Sequence, residues 1–122
     1  MFQERRQRKP SFLACLGGLL AAVSVALSAY AAHGVADATA QSHLQMASLY
    51  AFGHGLALAA LAPATARRLG KLALGLLLLG VLLFSGSLAL NALAGTGTRL
   101  APVGGTVLIL GWLLWAVDAV RR

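Results

Sequence analysis

The stretch Leu72–Leu93, LALGLLLLGVLLFSGSLALNAL, contains no charged residue. A membrane-spanning α-helix needs about 20 predominantly apolar residues, so this stretch is long enough to cross a bilayer once. It lacks the alternation of apolar and polar residues that a lipid-facing β-barrel strand shows. It therefore predicts a transmembrane helix.

Three further apolar stretches surround it, namely Phe12–Ala32, Leu44–Ala62 and Leu100–Val117. Hydrophobic residues make up 59% of the chain and charged residues 11%, against about 45–50% and about 25% in soluble domains. The solvent of this protein is therefore lipid. We predict an all-α fold, a bundle of four transmembrane helices, in which residues 1–11 form a basic cytoplasmic tail and residues 12–122 a single membrane domain.

The basic residues predict the orientation of the helices. They precede the first predicted helix, join the second to the third and follow the fourth: Arg5, Arg6, Arg8, Lys9, Arg67, Arg68, Lys71, Arg121 and Arg122. In the other two connections, Arg99 is the only Lys or Arg. Because Lys and Arg near helix ends remain on the cytoplasmic side, both termini are predicted to lie inside. These loops account for the formal net charge of +7, so the predicted partner is the lipid bilayer and not a nucleic acid.

The N-terminal region allows a second interpretation. A basic tail, an apolar run and the small residues Ala29-Tyr30-Ala31 are also typical of a cleaved secretory signal. The run Phe12–Ala32 is longer than the core of about 7–15 residues found in such signals. Cleavage would also leave three helices and place the C-terminus outside, against the charge pattern. A retained first helix is the better interpretation.

Small residues recur at helical spacing in all four stretches. They are Gly17, Ala21, Ser24 and Ser28 in the first, Ala51, Gly55 and Ala59 in the second, Gly80 and Ser85-Gly86-Ser87 in the third, and Gly104, Gly105 and Gly111 in the fourth. Small side chains let helix backbones approach closely in lipid, where helices gain little from the hydrophobic effect. They predict tight helix packing, with part of this surface left for a partner protein.

Polar side chains are concentrated in the halves of the helices that are predicted to face outward or lie at mid-depth. The candidate cluster consists of Ser24, Ser28, Tyr50, His54, Ser85, Ser87 and Asn91. Polar groups inside a membrane are energetically expensive and tend to face the protein interior or water. We therefore expect these side chains to converge on a site that opens outward.

His54 is the ionisable side chain nearest the middle of a predicted span. It is a candidate for proton transfer, metal or haem ligation, or binding of a lipid headgroup or quinone. The simpler interpretation is a neutral imidazole, hydrogen-bonded to Tyr50 or to a serine on a facing helix. A metal site of His33, Asp37 and His43 in the first outer connection matches no specific ligand spacing. We predict no catalytic residue, no metal and no cofactor.

Several segments together resemble a known family. They are Ala31–Gly34, Ala47–Leu61 (ASLYAFGHGLALAAL), Phe84–Leu88 (FSGSL), Pro102–Gly105 (PVGG) and Gly111-Trp112. This combination is similar to the YgdD-like family, which includes eukaryotic transmembrane protein 256. The residues of this chain that lie in these motifs are His33, Gly34, His54, Phe84, Ser85, Gly86, Ser87, Pro102, Gly104, Gly105, Gly111 and Trp112. The resemblance implies a small multi-spanning membrane protein, and it carries no assigned reaction.

The sequence favours a non-enzymatic accessory or scaffold subunit that packs against another membrane protein or a second copy of itself. The alternative is an outward-opening site for a small molecule or an ion, built around His54. A redox or metal-binding membrane protein is the third hypothesis. The bias towards Arg, Ala, Leu and Gly favours a bacterial inner membrane, with a mitochondrial inner membrane as the alternative location.

Overall fold

A computed structural model describes residues 10–121 of the chain, so most of the predicted basic tail and Arg122 lie outside the described residues. Within residues 10–121 there are four long helices: α1 (Phe12–Gly34), α2 (Ala38–Leu61), α3 (Arg68–Ala94) and α4 (Leu100–Val120). A 3-10 turn, Ala62–Ala64, follows α2. Each of the four helices is long and apolar enough to cross a membrane. The predicted all-α fold with four membrane spans is confirmed, whereas the orientation of the termini stays a prediction.

Two of the helices begin earlier than the apolar pattern indicates. Helix α2 begins at Ala38, because the Asp37 carboxylate accepts a hydrogen bond of 2.9 Å from the Ala40 N–H and so caps the helix. Helix α3 begins at Arg68, before its apolar stretch. Hydropathy marks the part of a helix that lies in hydrocarbon, whereas hydrogen bonding sets where the helix ends. The predicted starts at Leu44 and Leu72 were therefore too late.

The first two helices form a close hairpin at two glycines. A Cβ atom added to Gly55 would lie 2.6 Å from the Gly17 carbonyl oxygen and 3.0 Å from the Ala21 nitrogen. A Cβ atom added to Gly17 would meet the backbone of Gly55 and Ala59 equally closely. Only glycine permits this distance between the two backbones, so the small-residue stripes of α1 and α2 pack on each other.

The last two helices form a second hairpin in the same way. Gly80 of α3 faces Gly104 of α4, and Gly111 of α4 faces the backbone of Ala73. Between these helices the chain turns at Gly95, whose φ of 72° lies in the left-handed region that glycine adopts without strain. The Gly95 N–H donates to the Asn91 carbonyl and closes the end of α3.

The two hairpins meet along α2 and α3. Leu58 of α2 packs against Leu74, Leu77 and Val81 of α3, and Leu108 of α4 joins this core. Helix α1 touches α3 at few points, and α2 and α4 share no extended backbone contact among the described residues. The helices therefore form an open row. A groove remains between α2 and α4, and α3 forms its floor.

Candidate functional site

His54 makes hydrogen bonds with both of its ring nitrogens. Its Nδ1 lies 2.8 Å from the Tyr50 carbonyl oxygen one turn earlier in α2, and its Nε2 lies 3.0 Å from Trp112 Nε1 of α4. A carbonyl oxygen only accepts and an indole N–H only donates. His54 must therefore carry its proton on Nδ1 and accept at Nε2, which makes it a neutral imidazole in this arrangement.

Aromatic rings continue from His54 along the space between α2 and α4. The ring of Tyr50 lies nearly parallel to that of His54, with centroids 6.1 Å apart, and its centroid lies 4.7 Å from that of Phe84. The Trp112 ring centroid lies 5.8 Å from that of His54. These are ordinary distances for interacting aromatic rings. Four rings from three helices therefore form one continuous wall.

This wall lines a groove that we call the His54 groove, with a volume of about 460 Å³. Its residues are Tyr50 and His54 of α2, Phe84 of α3, and Gly105, Leu108, Ile109, Trp112 and Leu113 of α4. Gly105 keeps the groove open, because a Cβ at this position would meet only the Phe84 ring within 4 Å, at 3.8 Å. Ile109 and Leu113 are largely exposed, so the groove opens sideways towards the bilayer.

The structure divides the predicted polar cluster among separate places. Ser24 is 1% exposed and donates to the Ala21 carbonyl within α1. Ser28 donates to Gln45 Oε1 at 2.9 Å. Of the predicted residues, Tyr50 and His54 are the two that reach the His54 groove. The seven residues do not converge on one site that opens outward.

The remaining members of the cluster lie along α3. Ser85 donates to the Ala47 carbonyl of α2 at 2.9 Å, whereas the buried hydroxyl of Ser87 has no hydrogen-bond partner among the described residues. Asn91 lies at the end predicted to face outward, where its Oδ1 is 2.8 Å from His43 Nδ1. Ser85 and Asn91 fasten helices to one another, and none of the three residues lines the His54 groove.

A second groove lies between α1 and α2 on the opposite side of α2, with a volume of about 540 Å³. Ser24, Ser28, Gln45 and Ser48 supply its polar groups. Gln45 also donates to the Ser28 carbonyl, and Ser48 donates to the Leu44 carbonyl. These polar groups therefore already have hydrogen-bond partners within the chain.

The three residues considered for a metal site have other positions. Asp37 caps α2, His43 contacts Asn91, and His33 is exposed in the last turn of α1. Among residues 10–121, no three His, Cys, Asp or Glu side chains are grouped as metal ligands.

Comparison with known proteins identifies the family of this chain. Residues 27–105 match the family described as "Protein of unknown function (DUF423)". The chain belongs to this family. The match includes Tyr50, His54, Phe84 and Gly105 of the His54 groove and ends before Trp112.

Named relatives match four fifths or more of this DUF423 chain. A UPF0382 membrane protein of Haemophilus influenzae is 35% identical over 104 residues, which cover 80% of this chain and 84% of the relative. One from Staphylococcus epidermidis is 32% identical over 113 residues, which cover 87% and 93%. No solved structure matches the chain. These relatives and the four spans support a bacterial inner-membrane location, and they confirm the resemblance to a small membrane-protein family without an assigned activity.

Sequence reasoning missed the hydrogen-bond partner of His54 in this DUF423 protein. Trp112 was named from the sequence as a family-motif residue and not as a partner of His54, yet its indole N–H donates to His54 Nε2. The sequence held a usable signal, since His54 and Trp112 lie ten and twelve residues from the predicted outer ends of their helices at Leu44 and Leu100. Residues at similar depth on different helices are candidates for contact. His43 was missed as a fastening residue because α2 was predicted to start at Leu44. Gln45 was missed although it lies inside that predicted helix.

Proposed function

We propose that this protein binds a small membrane-soluble molecule in the His54 groove, without catalysing a reaction on it. The observation that carries this proposal is the groove itself. It is lined by four rings, one of which is a hydrogen-bonded histidine at mid-span, and it opens to lipid between helices that are not packed together. Ligand sites are typically concave, mostly apolar and supplied with a few polar groups, with volumes of about 300–1,000 Å³.

This proposal replaces the accessory role as the favoured function for a specific reason. The accessory role depended on small-residue stripes that were expected to leave part of their surface for a partner protein. The structure uses Gly17, Gly55, Gly80 and Gly104 for contacts within the chain. It also uses Trp112 to bond His54. The groove opens to the bilayer and not to the outer surface, so the proposal is for binding and does not extend to transport.

Substitution of Gly105 by leucine tests the proposal. The added side chain would extend from a position with free space into the groove and fill it. The control is Gly53→Leu, the same change on an exposed face of α2 with no neighbour within 4 Å of the added Cβ. Native mass spectrometry of the purified protein should show a bound small molecule that Gly105→Leu loses and Gly53→Leu keeps. Equal retention in both variants would contradict a site in this groove.

An accessory role is the second candidate, favoured by the lipid-facing side of α1. Only Gly17, Ser24 and Ala31 of this helix are buried. Gly18, Ala22 and Ala26 are exposed at four-residue spacing, and a Cβ added to Gly18 meets nothing within 4 Å. Such spacing is typical of helix association in membranes. Gly18→Leu should then abolish a complex seen by native mass spectrometry, whereas Gly53→Leu should leave it intact.

A further inference from the structure

The chemistry of the His54 groove restricts the ligand that it can accept. Of the residues that line it, none carries a formal charge. An anionic lipid headgroup would therefore be placed in hydrocarbon without a compensating cation, which is costly. The groove favours a neutral molecule.

The shape of the wall favours a planar ring. Tyr50 and His54 lie nearly parallel, with an interplanar angle of 10°, and Phe84 and Trp112 close the two ends of the row. Planar π-systems stack on such surfaces or meet them edge to face. Gly105 leaves the Phe84 side of the groove open to a flat group.

One hydrogen-bond donor in the groove is unused. Both nitrogens of His54 and the indole N–H of Trp112 are already paired. Tyr50 is 39% exposed, and its hydroxyl makes no hydrogen bond with any residue in the described part of the chain. A hydroxyl without a partner in an apolar surrounding costs free energy, so a ligand acceptor at this position would be stabilised.

The open edge of the groove indicates that part of the ligand is apolar. Ile109 and Leu113 form its open edge, and both are more than half exposed. A molecule that enters between α2 and α4 would therefore come from the bilayer and leave an apolar tail beside these side chains.

We propose that the His54 groove binds a neutral, membrane-soluble ring compound that carries a carbonyl acceptor and an alkyl tail, as quinones do. The ring lies against Tyr50, His54 and Phe84, and the Tyr50 hydroxyl donates to the carbonyl. This inference rests on the proposed binding function and adds the chemical class of the ligand. It concerns binding alone and includes no electron transfer.

Fluorescence of Trp112 provides the test, because a bound quinone quenches a neighbouring indole. The chain has two tryptophans, so a Trp115→Phe background leaves Trp112 as the single reporter. Full-length protein in lipid nanodiscs is titrated with decylubiquinone. We expect saturable quenching, loss of the saturable phase in Gly105→Leu, and unchanged binding in Gly53→Leu.

Two comparisons isolate the carbonyl contact. Tyr50→Phe removes the hydroxyl and keeps the ring, so binding should weaken about fivefold, the loss expected for one neutral hydrogen bond. Decylbenzene, which has a ring and tail but no carbonyl, should not displace the quinone. Unaltered affinity in Tyr50→Phe, or effective competition by decylbenzene or by phospholipid alone, would overturn the assigned ligand class.

The outcome also separates this inference from the proposed function. A native mass spectrum with a small molecule that Gly105→Leu loses, together with non-saturable quenching by decylubiquinone, would reject the ligand class and keep the binding function. Absence of both signals would reject the two together.

Discussion

Three serine and threonine hydroxyls inside the spans are satisfied by carbonyls of their own helix. Ser24, Ser48 and Thr106 each donate to a carbonyl three or four residues earlier. A hydroxyl paired in this way can lie in an apolar helix without requiring water or a cavity. The presence of polar residues at one depth therefore does not by itself create a common site, which is why the predicted cluster separates in the structure.

Ser85 and Ser87 form a matched pair for testing hydrogen bonds between helices. Ser85→Ala removes the bond to the Ala47 carbonyl and should lower the free energy of unfolding by about 0.6 kcal/mol, with an upper limit near 2 kcal/mol. Ser87→Ala removes a buried hydroxyl that has no partner in residues 10–121, so it should be neutral or stabilising. Unfolding in a mixed-micelle denaturation series measures both. A larger loss of unfolding free energy in Ser87→Ala than in Ser85→Ala would contradict the hydrogen bonding described for these two serines.

At the scale of helices, glycine determines which pairs approach closely. Gly104 faces the backbone of Phe84 and the Gly80 carbonyl oxygen, neither of which can move aside as a flexible side chain would. The approach of α4 to α3 in turn positions Gly105 and Trp112 on the side of α4 that lines the His54 groove. The shape of the His54 groove therefore depends on the helix contact at Gly104, one residue before Gly105.

Gly104→Ala should separate α3 from α4. The new Cβ would lie 2.8 Å from the Gly80 carbonyl oxygen, so we expect a loss of about 1–3 kcal/mol in the free energy of unfolding, as is usual for overpacking. Gly86→Ala on α3 is the control, because its Cβ would meet nothing within 4 Å. This control should be neutral or stabilising, since alanine favours a helix. Equal stability of the two variants would disprove the close contact at Gly104.

Across the whole molecule, charge gathers at the end that is predicted to be cytoplasmic. Arg67, in the connection between α2 and α3, donates to the Arg121 carbonyl at 2.6 Å and lies 3.7 Å from the Asp118 carboxylate of α4. This contact ties the central connection to the end of the last helix. The opposite end has Asp37 as a helix cap and Arg99 before α4.

Cysteine labelling tests the predicted orientation. In a variant without Cys15, single cysteines at Ala38 and Thr96 should react with an impermeant thiol reagent added outside cells, because both positions are exposed at the predicted outer end. Cysteines at Ala66 and Gln7 should react only after the cells are opened; Gln7 lies outside the described residues. Labelling of Ala66 from outside would reverse the orientation.

The number of spans, their approximate positions and the membrane class were predictable from the sequence, because hydrocarbon requires long uncharged helices. The rotation of each helix about its own axis was not predictable from the sequence. The helices are apolar on nearly every side. Leu19, Leu79 and Ile109 are exposed to lipid, whereas Leu58 and Leu77, which are equally apolar, are buried. No amphipathic stripe therefore marks the inner face. Tertiary packing alone decided that Gly17 meets Gly55 and that His54 meets Trp112. It also decided that α2 and α4 stand apart and leave a groove between them, because close backbone contact sets helix rotation where lipid and protein side chains are equally apolar.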